Sequence, residues 1–523
     1  MKRRKFLRAG LGTALLPTVI NGFSLKAFAA ESPLARLLGA TDNDHVLVIV
    51  QLNGGNDGLN TVIPIDQYSN YYNARTNVAI AENKILQLDA ITNTGLHPAM
   101  AGMQAMYNEG KLGIVQAVGY PQPNFSHFRA TDIWMTASNS NEVITSGWGG
   151  RFLDFEFPNF PIGYPNSDMT DPLGIQIGSV TSTVFQGPSV SMGMSITDPT
   201  SFYNLINGVE DPAPNTPAGN ELKYIRLVAM QTNLYADVVK DAALSVTQQS
   251  TYPANNSLAD QLKIVARLIK GGLKTKIYMV SYTGFDTHSL QVDSNDTSIG
   301  RHATLLANVS GAIAAFQADL KYLDIEDRVM GLTFSEFGRR IKSNSSSGTD
   351  HGSAAPLFVF GKKAKQMVLG NTPDLPANAT SNDNIPMQYD FRSVYATMLQ
   401  DWLCVDGNNL QQIMLQNFQV LPLIEASACN PAIPNTSGTS LVDNYPNPFT
   451  INTTIRFTTT GGHTLIQIMN TLGQVIATLV DKEFATAGNY TVNWNNTPPA
   501  AGIYYVRLQN GPVQQVKAML KVK

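Results

Sequence analysis

The sequence predicts an α/β protein with a mostly parallel sheet flanked by helices, followed by a small C-terminal β-sandwich. Continuous apolar runs at His45–Leu52, Leu112–Val118, Lys276–Tyr282, Val329–Phe334 and Pro356–Gly361 suit strands buried on both faces. Helix-period segments alternate with them, at 98–107, 221–245, 258–269, 304–323 and 391–403. Beyond 440 the pattern changes to short strands of alternating residues between turns: 453–457, 464–469, 474–479, 489–494 and 502–508.

The first element is a targeting segment, residues 1–29. Lys2 to Lys5 and Arg8 form a positive region, Gly10 to Phe28 is modestly apolar, and Ala27-Phe28-Ala29 reads as a cleavage signal. Arg3-Arg4-Lys5-Phe6-Leu7 resembles the twin-arginine export motif, which implies the machinery that moves folded proteins. No later run approaches the roughly 20 apolar residues of a bilayer span, so the mature chain is expected to have none.

At 523 residues the chain is too long for one ordinary domain. Its net charge of -3 gives no electrostatic case for nucleic acid. Charged residues make up only 14 % of the chain, with 41 Gly and 28 Pro, a composition suited to an extracytoplasmic protein with ordered loops. Cys404 and Cys429 are too few for a disulfide scaffold. In an exported chain they can form one bridge, or stay as separate buried thiols.

The segment Pro98–Tyr107 has helical spacing and stops at Gly110. Residues 160–215 are irregular and rich in Pro, Gly and Ser, an insertion that can shape a site mouth; Met192 and Met194 within it are expected to pack. The α/β domain is placed at 30–426, a linker at 427–440 and the sandwich at 441–523. His463, alone between glycine and threonine, is expected to be a solvent-exposed loop residue.

The chemistry lies in polar clusters beside the strand-like runs. Asn53-Gly-Gly-Asn-Asp57, Gly284-Phe-Asp-Thr-His288 and Ser335-Glu-Phe-Gly-Arg339 each follow one, and Gly348-Thr-Asp-His-Gly352 precedes one. Ligands of open α/β sheets bind outside the carboxyl ends of the strands. Asp57, Asp286, His288, Glu336, Asp350 and His351 are the candidate metal ligands, and oxygen and nitrogen donors of this kind suit Zn, Mn, Mg or Ca. Gly54-Gly55 lacks a nucleotide fingerprint and reads as a tight turn delivering Asp57.

These motifs, with Gln51-Leu-Asn-Gly-Gly-Asn-Asp-Gly-Leu-Asn60 and Ser126-His-Phe-Arg129, resemble a domain-of-unknown-function family, number 1501. That family is similar to a remote branch of the alkaline phosphatase and sulfatase superfamily. The resemblance implies an alkaline phosphatase-like core, hydrolysis of an anionic phosphate or sulfate ester, and metal ions. It places Asp57 at the first-strand ligand, Asp286 and His288 at an Asp-and-His pair, and His351 at the late histidine. Glu336-Phe337 departs from the expected Asp-His pair, which puts a complete second metal site in doubt.

Residues 441–523 resemble the type A C-terminal sorting domain of type IX secretion. The matching pieces are Tyr445-Pro-Asn-Pro-Phe449, Asn470-Thr-Leu-Gly-Gln474, Trp494-Asn495 and Ala501-Gly-Ile-Tyr-Tyr-Val506. The resemblance implies passage through the periplasm to the cell surface or medium, with the type IX machinery as partner.

Ser126 is the candidate nucleophile. It opens a helix expected at 127–136, so it is equally placed to be an N-cap, and another alignment puts the nucleophile position near Ala117. His127, Arg129 and Arg339 are candidates to bind the transferring group, and Asn56 to orient it. His97 and His302 have no partner legible in the sequence; His302 is the stronger functional candidate. The functional expectation is therefore an exported metal-dependent ester hydrolase. The alternatives are a non-catalytic surface protein that binds glycan or a protein partner, and a hydrolase without a covalent intermediate.

Overall fold

The computed structural model describes residues 43–166, 168–199, 234–425 and most of 440–521, with a few isolated positions elsewhere. The segment 1–29, read from the sequence as a targeting signal, lies outside the described residues apart from two-residue strands at Val19–Ile20 and Phe23–Ser24. The first half of the helix expected at 221–245 and most of the linker also lie outside; residues 234–245 are helical. The chain divides into two compact units. One is Ala27–Cys429; the other comprises Asn430–Lys523 with Met1–Lys26.

The first unit is built on a nine-stranded sheet. Its strands are β1 (Val46–Asn53), β2 (Leu112–Gly119), β3 (Gly174–Ile177), β4 (Gly193–Ile196), β5 (Ile277–Thr283), β6 (Val329–Phe334), β7 (Ala355–Gly361), β8 (Met367–Leu369) and β9 (Tyr389–Asp390). The order is β8-β2-β7-β6-β1-β5-β3-β4, with β9 also on β2. Pairing is parallel except where β7 meets β6 and β2. The central strands read as apolar runs because both faces are covered: Val46 to Val50 and Ile277 to Val280 are essentially inaccessible. Each such side chain contributes about 1.5–3 kcal/mol by burial.

The helices follow local signals. Helix α1 (Ala101–Asn108) ends before Gly110, whose φ of 76° suits glycine. Helix α2 (His127–Thr136) and α3 (Trp148–Glu156) follow β2. Helix α4 (Ser257–Lys270) starts where the Asn256 side chain accepts from the backbone N–H of Leu258 and Ala259. Helix α5 (Arg301–Tyr322) runs into β6, and α6 (Phe391–Thr397) continues as a π turn, Met398–Trp402. No helix of the described residues is long and apolar enough to cross a membrane.

The stretch 160–215 departs from the irregular reading, because it supplies strand β3 and the edge strand β4. Four residues each, between Pro, Gly and Ser, they leave little periodicity to detect. Met192 and Met194 are buried, as expected.

The second unit is an antiparallel sandwich of sheets 440–445/453–459/488–494 and 475–484/462–469/502–510/513–521 around Phe457, Ile466, Ile468 and Leu508. Strands 440–445 and 513–521 were not expected. His463 is a correction: it lies in strand Gly462–Met469, exposed, with its Nε2 2.9 Å from Asp481 Oδ1.

Register explains how the polar clusters meet. Asn53 at the end of β1 is level with Thr283 at the end of β5, and Gln51 with Phe334 at the end of β6. The loops that follow therefore leave the sheet together. Antiparallel β7 brings its amino end, and residues 348–352 before it, to the same edge.

Candidate metal centre

Asp286 is the hub. Its Oδ1 lies 3.3 Å from His288 Nε2 and 3.4 Å from His351 Nε2, and its Oδ2 lies 3.6 Å from His127 Nε2. The two nitrogens His288 Nε2 and His351 Nε2 face each other at 2.9 Å. His127, Asp286 and His351 offer ligand atoms that all lie within 4.8 Å of one another. Phe337 packs against the His127 and His351 rings, at centroid distances of 4.9 and 4.4 Å, so it walls the cluster where a further ligand was conceivable.

The loops are held close by glycine and arginine. Gly54 has φ 126°, and a Cβ there would meet Asp286 N at 2.4 Å; a Cβ on Gly55 would strike the Phe337 ring at 2.3 Å. The glycine pair thus permits close approach and sends the Gly54 N–H to Glu336, at 2.9 and 3.1 Å from its two oxygens. Arg339, fully buried, donates to the carbonyls of Gly54, Gly55, Phe285 and Thr349 and to Asp286 Oδ1 at 2.7 Å.

Electrostatics favour the ligand states. Partial burial pushes the Asp286 carboxyl up, but Arg339 outweighs it and holds the group below the usual range. Asp350 is lowered likewise: burial raises it, and the hydrogen bond from His288 prevails. Burial first, then the Arg339 charge, lowers His351, which keeps its imidazole neutral near pH 7.

Not every expected residue joins the cluster. Asp57 is fully buried and fully engaged: Arg75 grips both oxygens at 2.8 Å, and Gln291 Nε2 donates to Oδ2 at 2.6 Å. Burial pushes its carboxyl up, but Arg75 prevails and the shift is downward. Glu336, also buried, accepts from Gly54 and lies 2.7 Å from His127 Nδ1. Asp350 lies 3.0 Å from His288 Nδ1. Both acids thus stand behind histidines, on the ring atom away from Asp286.

The expected anion-binding groups are differently placed. Arg129 anchors the end of its helix, donating to Asp132, Asn139, Ser140 and Glu142. Arg339 spends its donors on the protein. Ser126 is exposed at the N-cap position of α2, with no side-chain cap hydrogen bond. Ala117 is buried in β2. Asn56 bonds Thr61 and His302, and His302 Nε2 meets Asn56 Oδ1 at 3.0 Å, while its buried Nδ1 has no partner. His97 Nδ1 accepts from Ala99 N.

His127 as a member of the histidine cluster was missed; its neighbours in sequence give no ligand spacing. The Arg75 and Gln291 scaffold was also missed. Gln291 Oε1 accepts from Thr287 and Thr349, residues adjacent to His288 and Asp350, at 3.0 and 2.8 Å. Elsewhere on the unit, a polar cavity of about 440 Å³ lined by Thr145, Ser182, Thr183, Gln186 and Ser191 shares no residue with the cluster. Cys404 and Cys429 are joined as a disulfide.

Residues 116–414 match the profile of the family described as protein of unknown function (DUF1501), and the chain belongs to that family. Residues 443–522 match the secretion system C-terminal sorting domain, which directs export by type IX secretion to the cell surface or medium. No curated protein matches the chain. Among solved structures, a sulfatase from Pseudoalteromonas sp. is 10 % identical, with TM-score 0.31, over 87 % of this chain and 84 % of that one. A protein in the alkaline phosphatase superfamily from Vibrio parahaemolyticus is 9 % identical, with TM-score 0.30, over 85 % and 83 %. A phosphonate monoester hydrolase from Silicibacter pomeroyi is 9 % identical, with TM-score 0.29, over 91 % and 88 %. Likenesses this distant carry no functional weight.

Proposed function

From that family membership and the cluster on Asp286, we propose a metal-dependent hydrolase of phosphate or sulfate esters. It is exported by the twin-arginine route and carried outside by its C-terminal sorting domain. The observation that carries this reading is the convergence of His127, Asp286, His288 and His351 at one edge of the sheet. The ester class itself rests on the motif resemblance. Three imidazoles and one carboxylate fit Zn better than Mn, Mg or Ca, which prefer oxygen-rich sets.

A divalent ion bound there supplies a Lewis acid for the ester oxygen and lowers the pKa of a hydroxyl or water. In this reading the nucleophile is Ser126, which is exposed one residue before His127. Asp286, held by Arg339, keeps a negative charge for the ion, and Phe337 restricts water at one wall.

One observation favours a second reading. Arg129 and Arg339 are both committed to protein acceptors, so neither is left to grip a tetrahedral anion. That suits a metal-bearing surface protein without catalysis, binding glycan or a protein partner.

Chelator-treated full chain, assayed on 4-nitrophenyl phosphate and 4-nitrophenyl sulfate, tests the reading. Activity restored by Zn or Mn in wild type, and absent in Asp286→Ala, supports it. No turnover of either ester by metal-loaded protein moves the assignment to the surface-binding reading.

A further inference from the structure

The hydrogen-bond partners of the three histidines decide which ring nitrogen carries hydrogen. His351 Nδ1 lies 2.9 Å from the Phe125 carbonyl, which can only accept, so Nδ1 carries the hydrogen. His127 Nδ1 lies 2.7 Å from Glu336 Oε1, a carboxylate that also accepts from Gly54 N. His288 Nδ1 lies 3.0 Å from Asp350 Oδ1, which also accepts from Asn344. With Nδ1 turned to these acceptors, all three rings point Nε2, the ligating atom of the Nδ1–H tautomer, toward Asp286. The cluster gathers acceptors, with two lone pairs facing at 2.9 Å and one carboxylate among them. Arg339 Nη2 supplies a single donor to that carboxylate. Such a gathering calls for a cation.

Spacing points to a metal ion. Ligand atoms on a tetrahedral ion with bonds near 2.0–2.1 Å lie roughly 3.3 Å apart. The separations from Asp286 to the three histidines, 3.3, 3.4 and 3.6 Å, and that between His288 and His351, 2.9 Å, bracket that value, and His127, Asp286 and His351 lie mutually within 4.8 Å. Acidic partners behind ligating histidines are the usual outer layer of such sites, where they set the tautomer and raise ligand basicity.

We propose that the chain holds one divalent ion through His127, His288 and His351 Nε2 and the Asp286 carboxylate, with Glu336 and Asp350 acting as positioning residues through His127 and His288. This deepens the hydrolase reading and rests on its metal site, while replacing a two-ion centre in which Glu336 and Asp350 are themselves ligands. Asp350 is half-exposed, so it can be removed without opening the core.

The test is a calorimetric titration of chelator-treated full chain with Co(II), with the cobalt absorption spectrum recorded. It is paired with ¹⁵N-histidine NMR of the metal-free protein. The expected result is one Co(II) per chain, abolished in His351→Ala. It is retained at one per chain but about 10–100-fold weaker in Asp350→Ala and Glu336→Gln. In Asp350→Ala the His288 ring alone should leave the Nδ1–H tautomer, a change that a merely structural acid would not cause. Two Co(II) per chain, falling to one in either acidic variant, overturns the proposal. So does unchanged affinity in Asp350→Ala, which remains informative if Glu336→Gln does not fold, and so does wild type that takes up no Co(II). One ion without ester hydrolysis leaves the site and removes the hydrolase; two ions with hydrolysis does the reverse.

Discussion

Gln291 donates its Nε2 hydrogen to Asp57 Oδ2 at 2.6 Å, and so ties the loop after β5 to the loop after β1. The same side chain accepts from Thr287 and Thr349, next to His288 and Asp350. Asp57 is thus a buried anchor of the loops that carry the cluster.

Asp57→Asn should cost about 3–5 kcal/mol, because it leaves the Arg75 guanidinium buried and uncompensated. Urea denaturation measures this. A loss below about 1 kcal/mol would show that the pair carries no such role. The folded carboxyl is depressed, so its stabilisation is full above the unfolded value near pH 3.9 and fades as pH falls through the folded value.

Stability should also fall on mild acidification, through two buried histidines. Burial lowers His302 to about 4 and His97 to about 3. Below about pH 6.5 the unfolded imidazoles take up protons that the folded ones do not, so stability drops as pH falls from there toward the folded values. Each group contributes a slope of up to about 1.4 kcal/mol per pH unit. Denaturation curves between pH 7 and 4.5 should show a shallower slope in His302→Gln; an identical slope would refute the assignment.

Ser126→Ala separates nucleophile from cap. Ser126 makes no cap hydrogen bond, so the melting temperature should barely move. Ester turnover should fall by at least about 10³-fold if the hydroxyl attacks. Wild-type turnover in the variant would assign the attack to water.

The Cys404–Cys429 bridge closes a separation of 25 residues. Loop-closure entropy puts its contribution at about 3 kcal/mol. Cys404→Ser with Cys429→Ser should lose roughly that much in thermal and urea unfolding, and reduced wild type should match the double variant. Equal stability of oxidised and reduced protein would contradict this.

Local sequence determined most of the elements. The apolar runs became β1, β2, β5, β6 and β7, and the periodic segments at 98–107, 258–269, 304–323 and 391–403 became helices near their expected bounds, because burial on both faces or one face writes a period into the chain. The turn glycines were legible for the same local reason. The sorting tail was legible as a motif. Tertiary structure decided the rest. Parallel register brought 284–288 and 335–339 level, and the antiparallel strand β7 added 350–351 from its opposite end. Which acids face the cluster and which stand behind a histidine depends on side-chain direction across elements distant in sequence, and no spacing encodes it. Asp57 and Arg339 read as ligand and anion binder by residue type. Folding instead surrounded them with Arg75, Gln291 and backbone carbonyls, because a buried charge must find its partners inside the protein.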